Sequence, residues 1–393
     1  MPPRGSETGE PLKPDYGAAT VATVLPTLLA GRDAVRSASG AGWLPEPVVE
    51  ARAVVLLVLD GLGWAARTGH ADAVPELAAM AGSAISTVVP STTAAALTSI
   101  TTGLTPAEHG VVGFRFRIEG GVLNALTFQL SGPRAGSRRG PDPLDVQRHE
   151  AFRGRGIPTV TRDDYRSSGF TRAHLRGGRF EGWHTASGLV EQCRRLVAAG
   201  DPVVYAYYPG VDEVAHAHGL EDGFFRAELR ATDRLVGDLL DALPGETALL
   251  VTADHGEVHL GEESWVSLAG LAPLADGYAG DARFRYVYAR PGAAAELAAE
   301  ARRLGDVAWV LERRELLEDG WLGPNPSPAA WRRVGDVVLA ARGRHAFVDP
   351  TFPRETGLRA AHGSMTRDEM LVPLLAARGR LLARPGRGAY GRK

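Results

Sequence analysis

The chain has 393 residues, 44% of them hydrophobic, with 44 basic residues against 46 acidic ones and a sequence pI near 6.6. This length and apolar content suit one large α/β domain carrying an insertion, or two or three average domains, and exclude bulk disorder. The balanced charge gives no bulk reason to expect a nucleic-acid polymer or an anionic membrane as partner, so recognition of a phosphate compound has to come from local charge.

Residues 1–17 are rich in Pro, Gly and charge and are expected to form a flexible arm. Glu7, Glu10 and Asp15 lie where a signal peptide would carry basic residues. The apolar run from Ala18 to Ala30 contains Pro26 and is too short to span a bilayer, so it reads as a short packed helix. A soluble, cytoplasmic protein without a membrane partner is the resulting expectation.

From Ala53 to Leu59 every residue is apolar, and Asp60-Gly61 closes the run. Such a segment predicts a strand buried on both faces. Val203 to Tyr208, ending at Pro209-Gly210, and Ala248 to Ala253, ending at Asp254-His255-Gly256, repeat the pattern. Between these two, Phe224 to Leu243 carries apolar residues at helical spacing, and Leu189 to Ala199 is a second helical stretch holding the single cysteine, Cys193. One cysteine forms no internal disulfide, and Cys193 is expected to be a buried structural thiol. Buried strands alternating with amphipathic helices predict an α/β fold: a central, largely parallel sheet flanked by helices on both faces.

The remaining segments set the expected domain boundaries. Residues 131–156, rich in Gly, Pro and Arg, read as a surface loop. Residues 263–345 break the rhythm and are assigned to an accessory or cap insertion. The core is then 18–262 with 346–377, and 378–393 is a basic, solvated tail.

In open α/β sheets ligands bind beyond the carboxyl ends of the strands. Three strands here deliver an acidic residue at or just after that end: Asp60, Asp212 and Asp254. Taken singly, each is an ordinary turn or helix-cap residue. Together, and with histidines nearby, they suggest more. Asp212 and His216 are four apart, on one face of a helical turn. His255 follows Asp254 directly, and His362 lies far downstream before the apolar run Met370 to Ala376. Carboxylate oxygen and imidazole nitrogen suit zinc, manganese or iron, and a set without cysteine argues against a closed structural zinc site. Six ligands are enough for two divalent ions about 4 Å apart, the arrangement that clamps both the attacking and the leaving oxygen at phosphorus.

Val88 to Leu97 runs from a strand end into a helix, placing Ser91, Thr92 and Thr93 at its start. A hydroxyl there meets free N–H groups and the positive end of the helix dipole. On the residues alone, a nucleophile and a simple N-cap remain alternatives.

As a set these segments resemble the nucleotide pyrophosphatase/phosphodiesterases of the alkaline phosphatase superfamily. The matching pieces are Val58 to Gly61, Pro90 to Thr93, Thr102 to Pro106 with His109-Gly110, Asp212 to His216, Ala253 to Gly256, and His362-Gly363. The resemblance spans Val54 to Leu375. It implies that Asp60, Thr93, Asp254 and His255 hold one metal ion, and Asp212, His216 and His362 the other, zinc being the expected metal with manganese or iron as alternatives. It further implies that Thr93 attacks phosphorus and forms a covalent phospho-threonine, so that the chain hydrolyses phosphodiester or pyrophosphate bonds in small, nucleotide-type substrates. One position departs from the pattern. Phe114 stands where these enzymes usually carry an Asn that contacts a phosphoryl oxygen, with Arg115, Arg117 and Asn124 as candidate substitutes. A phosphomonoesterase or phosphonate hydrolase on the same scaffold is the alternative reading. An inactive binding protein of this fold is the non-enzyme alternative, and its expected mark, a lost ligand or nucleophile, is not seen in the sequence.

Overall fold

The computed structural model describes residues 9–131 and 140–381. Its centre is a seven-stranded sheet in the spatial order Ala81–Ser86, Leu371–Arg378, Thr247–Thr252, Ala53–Leu59, Val203–Tyr208, Pro158–Arg162, Arg179–Trp183. Only Leu371–Arg378 runs against the rest. The middle strand, Ala53–Leu59, is buried along its whole length because helices cover both faces of the sheet. This is why it reads as an uninterrupted apolar run rather than an alternating one.

Helices Val21–Ala30, Thr93–Thr102, Ala186–Ala198 and Gly223–Ala242 pack around this sheet. Pro26 lies inside the first of them, whose residues Val21, Ala22, Val24, Leu25, Leu28 and Leu29 are buried. Cys193 is fully buried on Ala186–Ala198, and burial pushes its thiol up to about 12, which keeps it protonated and inert.

A second, four-stranded antiparallel sheet lies within residues 263–345, in the order Ala275–Gly280, Phe284–Ala289, Val337–Ala341, Ala308–Glu312. One face carries its own small core, with Val287, Leu297, Leu339 and Phe347 among its members. The other face sends Phe284, Tyr286 and Val338 into the main core. A short antiparallel sheet joins Arg115–Ile118, Gly121–Asn124 and Gln129–Ser131, and two-stranded pairs join Val258–His259 to Ala360–Ala361 and Trp265–Val266 to Ala346–Phe347.

Several segments expected to be loose are packed. Residues 1–8 lie outside the described part, but Leu12 N donates to Met365 O at 2.8 Å, and the Tyr16 hydroxyl bridges Val89 N and Trp321 O at 3.1 and 2.9 Å. Within 131–156, residues 132–139 are outside the described part, whereas Ala151 and Phe152 are buried. At the other end, Arg378 belongs to the sheet, Arg380 pairs with Glu76 and Asp241, and Leu381 N bonds Leu243 O at 3.0 Å. Composition registered the charge of these stretches but not the carbonyls and carboxylates waiting for them. Among the described residues no helix is long and apolar enough to cross a membrane.

Candidate active site

Strand register brings the acidic residues together. Leu59 pairs with Tyr208, and Val58 with Thr252, so three adjacent strands end at one level. Asp60 N donates to Tyr208 O at 3.0 Å, and Asp212 N to Asp60 O at 3.1 Å. Gly61 makes that approach feasible. Its φ is +74°, and an added Cβ would sit 3.0 Å from both Cα and Cβ of Asp212. The antiparallel strand Leu371–Arg378 begins at the same end of the sheet, which is how His362, so late in the chain, arrives here.

Asp254 and Asp60 are each anchored by one carboxylate oxygen and leave the other free. Asp254 Oδ1 accepts from Gly61 N at 3.2 Å and His255 N at 3.0 Å. Asp60 Oδ2 accepts from the Tyr207 hydroxyl. Asp254 Oδ2, Asp60 Oδ1 and Asp212 Oδ1 are buried without a hydrogen-bond partner. The first two each lie 3.4 Å from His255 Nε2, and Asp212 Oδ1 lies 3.3 Å from His216 Nε2 and 3.7 Å from His362 Nε2.

The histidines are held by their other nitrogens. Nδ1 of His216, His362 and His255 faces the carbonyls of Ala360 at 2.8 Å, Ser91 at 2.9 Å and Gly256 at 3.2 Å. A carbonyl only accepts, so each Nδ1 carries a proton, and in the neutral form of the ring the Nε2 lone pair would face the carboxylates. Acceptor then faces acceptor, an arrangement that a second ring proton or a shared cation resolves. Burial, with the neighbouring His255, holds His362 well below the ordinary histidine range. This disfavours the extra proton on that ring. Backbone carbonyls fixing the tautomer of a ligating histidine are the usual support of a metal centre. The donor set therefore fits divalent cations on its own chemistry.

Two groups of ligand atoms, each mutually within 4.8 Å, emerge: Asp60, Asp254 and His255, and Asp212, His255, His362 and Glu257. Five of the seven residues singled out from the sequence fall in these groups, with His216 beside them at 3.3 Å from Asp212 and Thr93 at 3.0 Å from His255. The sequence reading missed Glu257, Tyr207 and Asp281. Glu257 follows the Asp254-His255-Gly256 turn closely enough to have been suspected, whereas the other two carry no local signal. Burial, and then the carboxylates of Asp254 and Asp212, push Asp60 well above the usual range, and burial with Asp212 does the same to Glu257. Burial raises Asp212 as well, and only positive charge on His216, His362 or His255 would bring it down to about 2.

Thr93 opens helix Thr93–Thr102, and its Oγ1 lies 3.0 Å from His255 Nε2. Thr92 is the N-cap by position, yet its hydroxyl makes no capping bond and donates instead to Asp281 Oδ1 at 2.7 Å. Ser91 donates to Ser364 O at 2.7 Å. Of the three neighbouring hydroxyls, Thr93 alone faces the acidic and histidine cluster. Asp281 Oδ2 accepts from Phe114 N at 3.3 Å, which places the half-buried Phe114 beside this helix start.

The three candidate substitutes for the family's Asn are committed elsewhere. Arg115 is buried against Asp349 at 2.7 Å, Arg117 pairs with Asp276 at 3.0 Å, and Asn124 Oδ1 accepts from Leu126 N and Thr127 N. His109 of the His-Gly motif is buried and structural: its Nδ1 accepts from Val111 N at 3.0 Å and its Nε2 meets Ser99 Oγ at 2.9 Å. A surface concavity of about 340 Å³ beside Arg166, Arg172 and Phe180 contains none of the clustered residues.

A family model described as type I phosphodiesterase / nucleotide pyrophosphatase matches residues 54–131 and 146–365. No curated protein is matched by sequence. Among solved structures, human ectonucleotide pyrophosphatase/phosphodiesterase 5 is similar with a TM-score of 0.61 at 14% identity, over 84% of this chain and 90% of that one. Its murine counterpart, in an inactive threonine-to-alanine form complexed with AMP, gives 0.60 at 14% identity over 84% and 90%. Phosphonoacetate hydrolase from Sinorhizobium meliloti, complexed with phosphonoformate, gives 0.58 at 17% identity over 86% and 93%. At such identities the structures establish a shared alkaline-phosphatase-like fold, while the family match extends over most of the chain. The chain belongs to the type I phosphodiesterase / nucleotide pyrophosphatase family and is a phosphoric ester hydrolase.

Proposed function

We propose that this hydrolase cleaves phosphodiester or pyrophosphate bonds in small nucleotide-type substrates, with Thr93 as nucleophile. The observation that carries the reading is the set of unpartnered oxygens on Asp60, Asp254 and Asp212 aimed at imidazole nitrogens, with the Thr93 hydroxyl 3.0 Å from His255 Nε2 among them. Asp60, Thr93, Asp254 and His255 would hold one divalent cation, and Asp212, His216 and His362 a second. Bound there, two cations supply Lewis acidity, lowering the pKa of the Thr93 hydroxyl and offsetting charge on the phosphoryl oxygens.

The chain's own residues do the positioning. Helix Thr93–Thr102 offers free N–H groups to a phosphoryl oxygen as charge builds there. Thr93 Oγ1 gives up its proton, which ends on the departing oxygen through solvent, and forms a bond to phosphorus as the bond from phosphorus to that oxygen breaks, giving a phospho-threonine. Water then cleaves that ester and returns the hydroxyl. Asp281 fixes the loop by taking the Thr92 hydroxyl, which leaves Thr93 as the free neighbour. The murine relative complexed with AMP is an inactive threonine-to-alanine form, in line with an essential threonine in that protein.

Phe114, in place of a polar phosphoryl contact, favours a second reading on the same residues: a phosphomonoester or a phosphonate as substrate. The likeness to phosphonoacetate hydrolase points the same way. Turnover of bis(p-nitrophenyl) phosphate, p-nitrophenyl phosphate and phosphonoacetate, with added zinc or manganese, separates these readings. Thr93→Ala should keep its metal and lose turnover by about three orders of magnitude or more, and Thr93→Ser should retain part of it. Thr92→Ala should lose about 1 kcal/mol of stability and little activity. Near-full activity in Thr93→Ala would overturn the assignment.

A further inference from the structure

Glu257 is unexplained by the set above. Its side chain is 1% exposed, and neither carboxylate oxygen has a hydrogen-bond partner. The nearest basic nitrogen is His255 Nδ1 at 3.9 Å, and that atom already serves the Gly256 carbonyl at 3.2 Å. A second buried glutamate nearby shows what a satisfied one looks like. Glu369 takes Arg283 Nε at 2.7 Å, Arg283 Nη2 at 2.9 Å and Ser364 N at 3.0 Å. The chain is forced to deliver Glu257 where it is. Gly256 passes so close to the neighbouring backbone that a Cβ would sit 2.1 Å from Asp368 O. The carboxylate thereby comes within 4.8 Å of the ligand atoms of Asp212, His255 and His362. A carboxylate buried without donors is costly unless a cation completes it.

We propose that Glu257 is a fourth protein ligand of the cation at Asp212, His216 and His362, and that it tunes this position toward a harder ion such as Mn²⁺. The inference rests on the two-cation reading above. With Glu257 the position offers two carboxylates and two imidazoles instead of one and two. Added oxygen and negative charge favour manganese or iron(II) relative to zinc. Asp60 and Asp254 lie outside the group that holds Glu257, and the position they share with His255 serves as the internal control.

The test is equilibrium dialysis of the full chain against buffered free Mn²⁺ and, separately, Zn²⁺, with bound metal counted by mass spectrometry. Wild type should take two equivalents of each. Glu257→Gln should bind the second Mn²⁺ on the order of 100-fold more weakly and the second Zn²⁺ with a smaller loss. Its metal-free form should melt no lower than metal-free wild type, because no N–H or O–H donor is lost with the carboxyl, whereas a structural glutamate would give a lower melting temperature. Unchanged Mn²⁺ affinity at both positions overturns the role of Glu257 and leaves the two-cation reading intact. A wild type that binds neither metal overturns both. If the variant fails to fold, a crystal structure of Mn²⁺-loaded wild type decides. A Glu257 oxygen about 2.2 Å from the ion supports the proposal, and one beyond about 3.5 Å overturns it.

Discussion

Two clusters of buried charge lie in this molecule, and they are built on opposite principles. In the second sheet, Arg285 is fully buried between Asp349, at 3.5 Å, and Glu355, and Arg115 reaches the same Asp349 at 2.7 Å. Two guanidinium groups meet two carboxylates, and Arg285 Nη2 also donates to Phe347 O at 2.9 Å. At the strand ends, among the described residues, Asp60, Asp212, Asp254 and Glu257 gather with imidazoles as their only basic neighbours. Among the described residues no Arg or Lys nitrogen lies within the 4.0 Å ion-pair distance of these four carboxylates. The first cluster balances its charge with its own side chains, although Arg285 Nε and Glu355 Oε1 lack hydrogen-bond partners. The second leaves its charge open, and an open buried charge is a binding site for whatever cation completes it.

The contrast can be broken by deleting one charge from each side. Asp60→Asn should lower phosphodiester turnover on the order of 10³-fold or more. It should not lower the melting temperature of the chelated protein, since one of several mutually repelling carboxylates has been neutralised. Arg285→Met should do the reverse, leaving Asp349 and Glu355 short of a partner and costing about 3–5 kcal/mol in denaturant unfolding, with or without metal. Comparable destabilisation by both substitutions would remove the distinction.

Chelation sharpens it further. A cation supplied at 100 times its dissociation constant adds about 2.7 kcal/mol of stability, and EDTA should remove that increment in wild type. The increment should survive in Arg285→Met, provided the variant still folds, because that network makes no use of metal. The smallest expected effect concerns pH. Burial pushes Asp281 up to about 6, against an ordinary value of 3.8, although Thr92 and Phe114 N partly offset it. Between those two values the folded state keeps a proton that the unfolded chain has released, so stability falls as pH rises through about 6. Denaturant unfolding of the metal-free protein at pH 4.5 and 7 should show a shallower fall for Asp281→Asn than for wild type.

The strand ends were legible early because one-dimensional cues coincide there. Ala53–Leu59 is apolar throughout, and the first polar residue after it, Asp60, must sit where the sheet meets solvent or ligand. The helical spacing of Asp212 and His216 placed both on one turn, and they do face each other at 3.3 Å. Thr93 was a less determined case, since three hydroxyl residues in a row fit an N-cap equally well from composition. Its distinction from Thr92 comes from Asp281, 189 residues away in the sequence, which occupies the Thr92 hydroxyl. The arm expected at 1–17 is hydrogen-bonded within residues 9–17, and the solvated tail expected at 378–393 is hydrogen-bonded within 378–381, for the same reason. The groups that bind Tyr16 and Arg380 are contributed by distant segments.

The sequence alone determined the sheet class and the acidic strand ends, because hydrophobic periodicity and the residue that interrupts it are local properties. It also determined, through the joint order of its motifs, the family. Tertiary structure alone decided that Arg115 serves the buried ion pairs and not a phosphate, and that Tyr207 anchors Asp60. It likewise decided that Glu257 sits unpartnered beside Asp212 and His362. The reason is physical: whether a polar group is free to act depends on whether packing has already supplied its partner, and those partners come from strands and loops far along the chain.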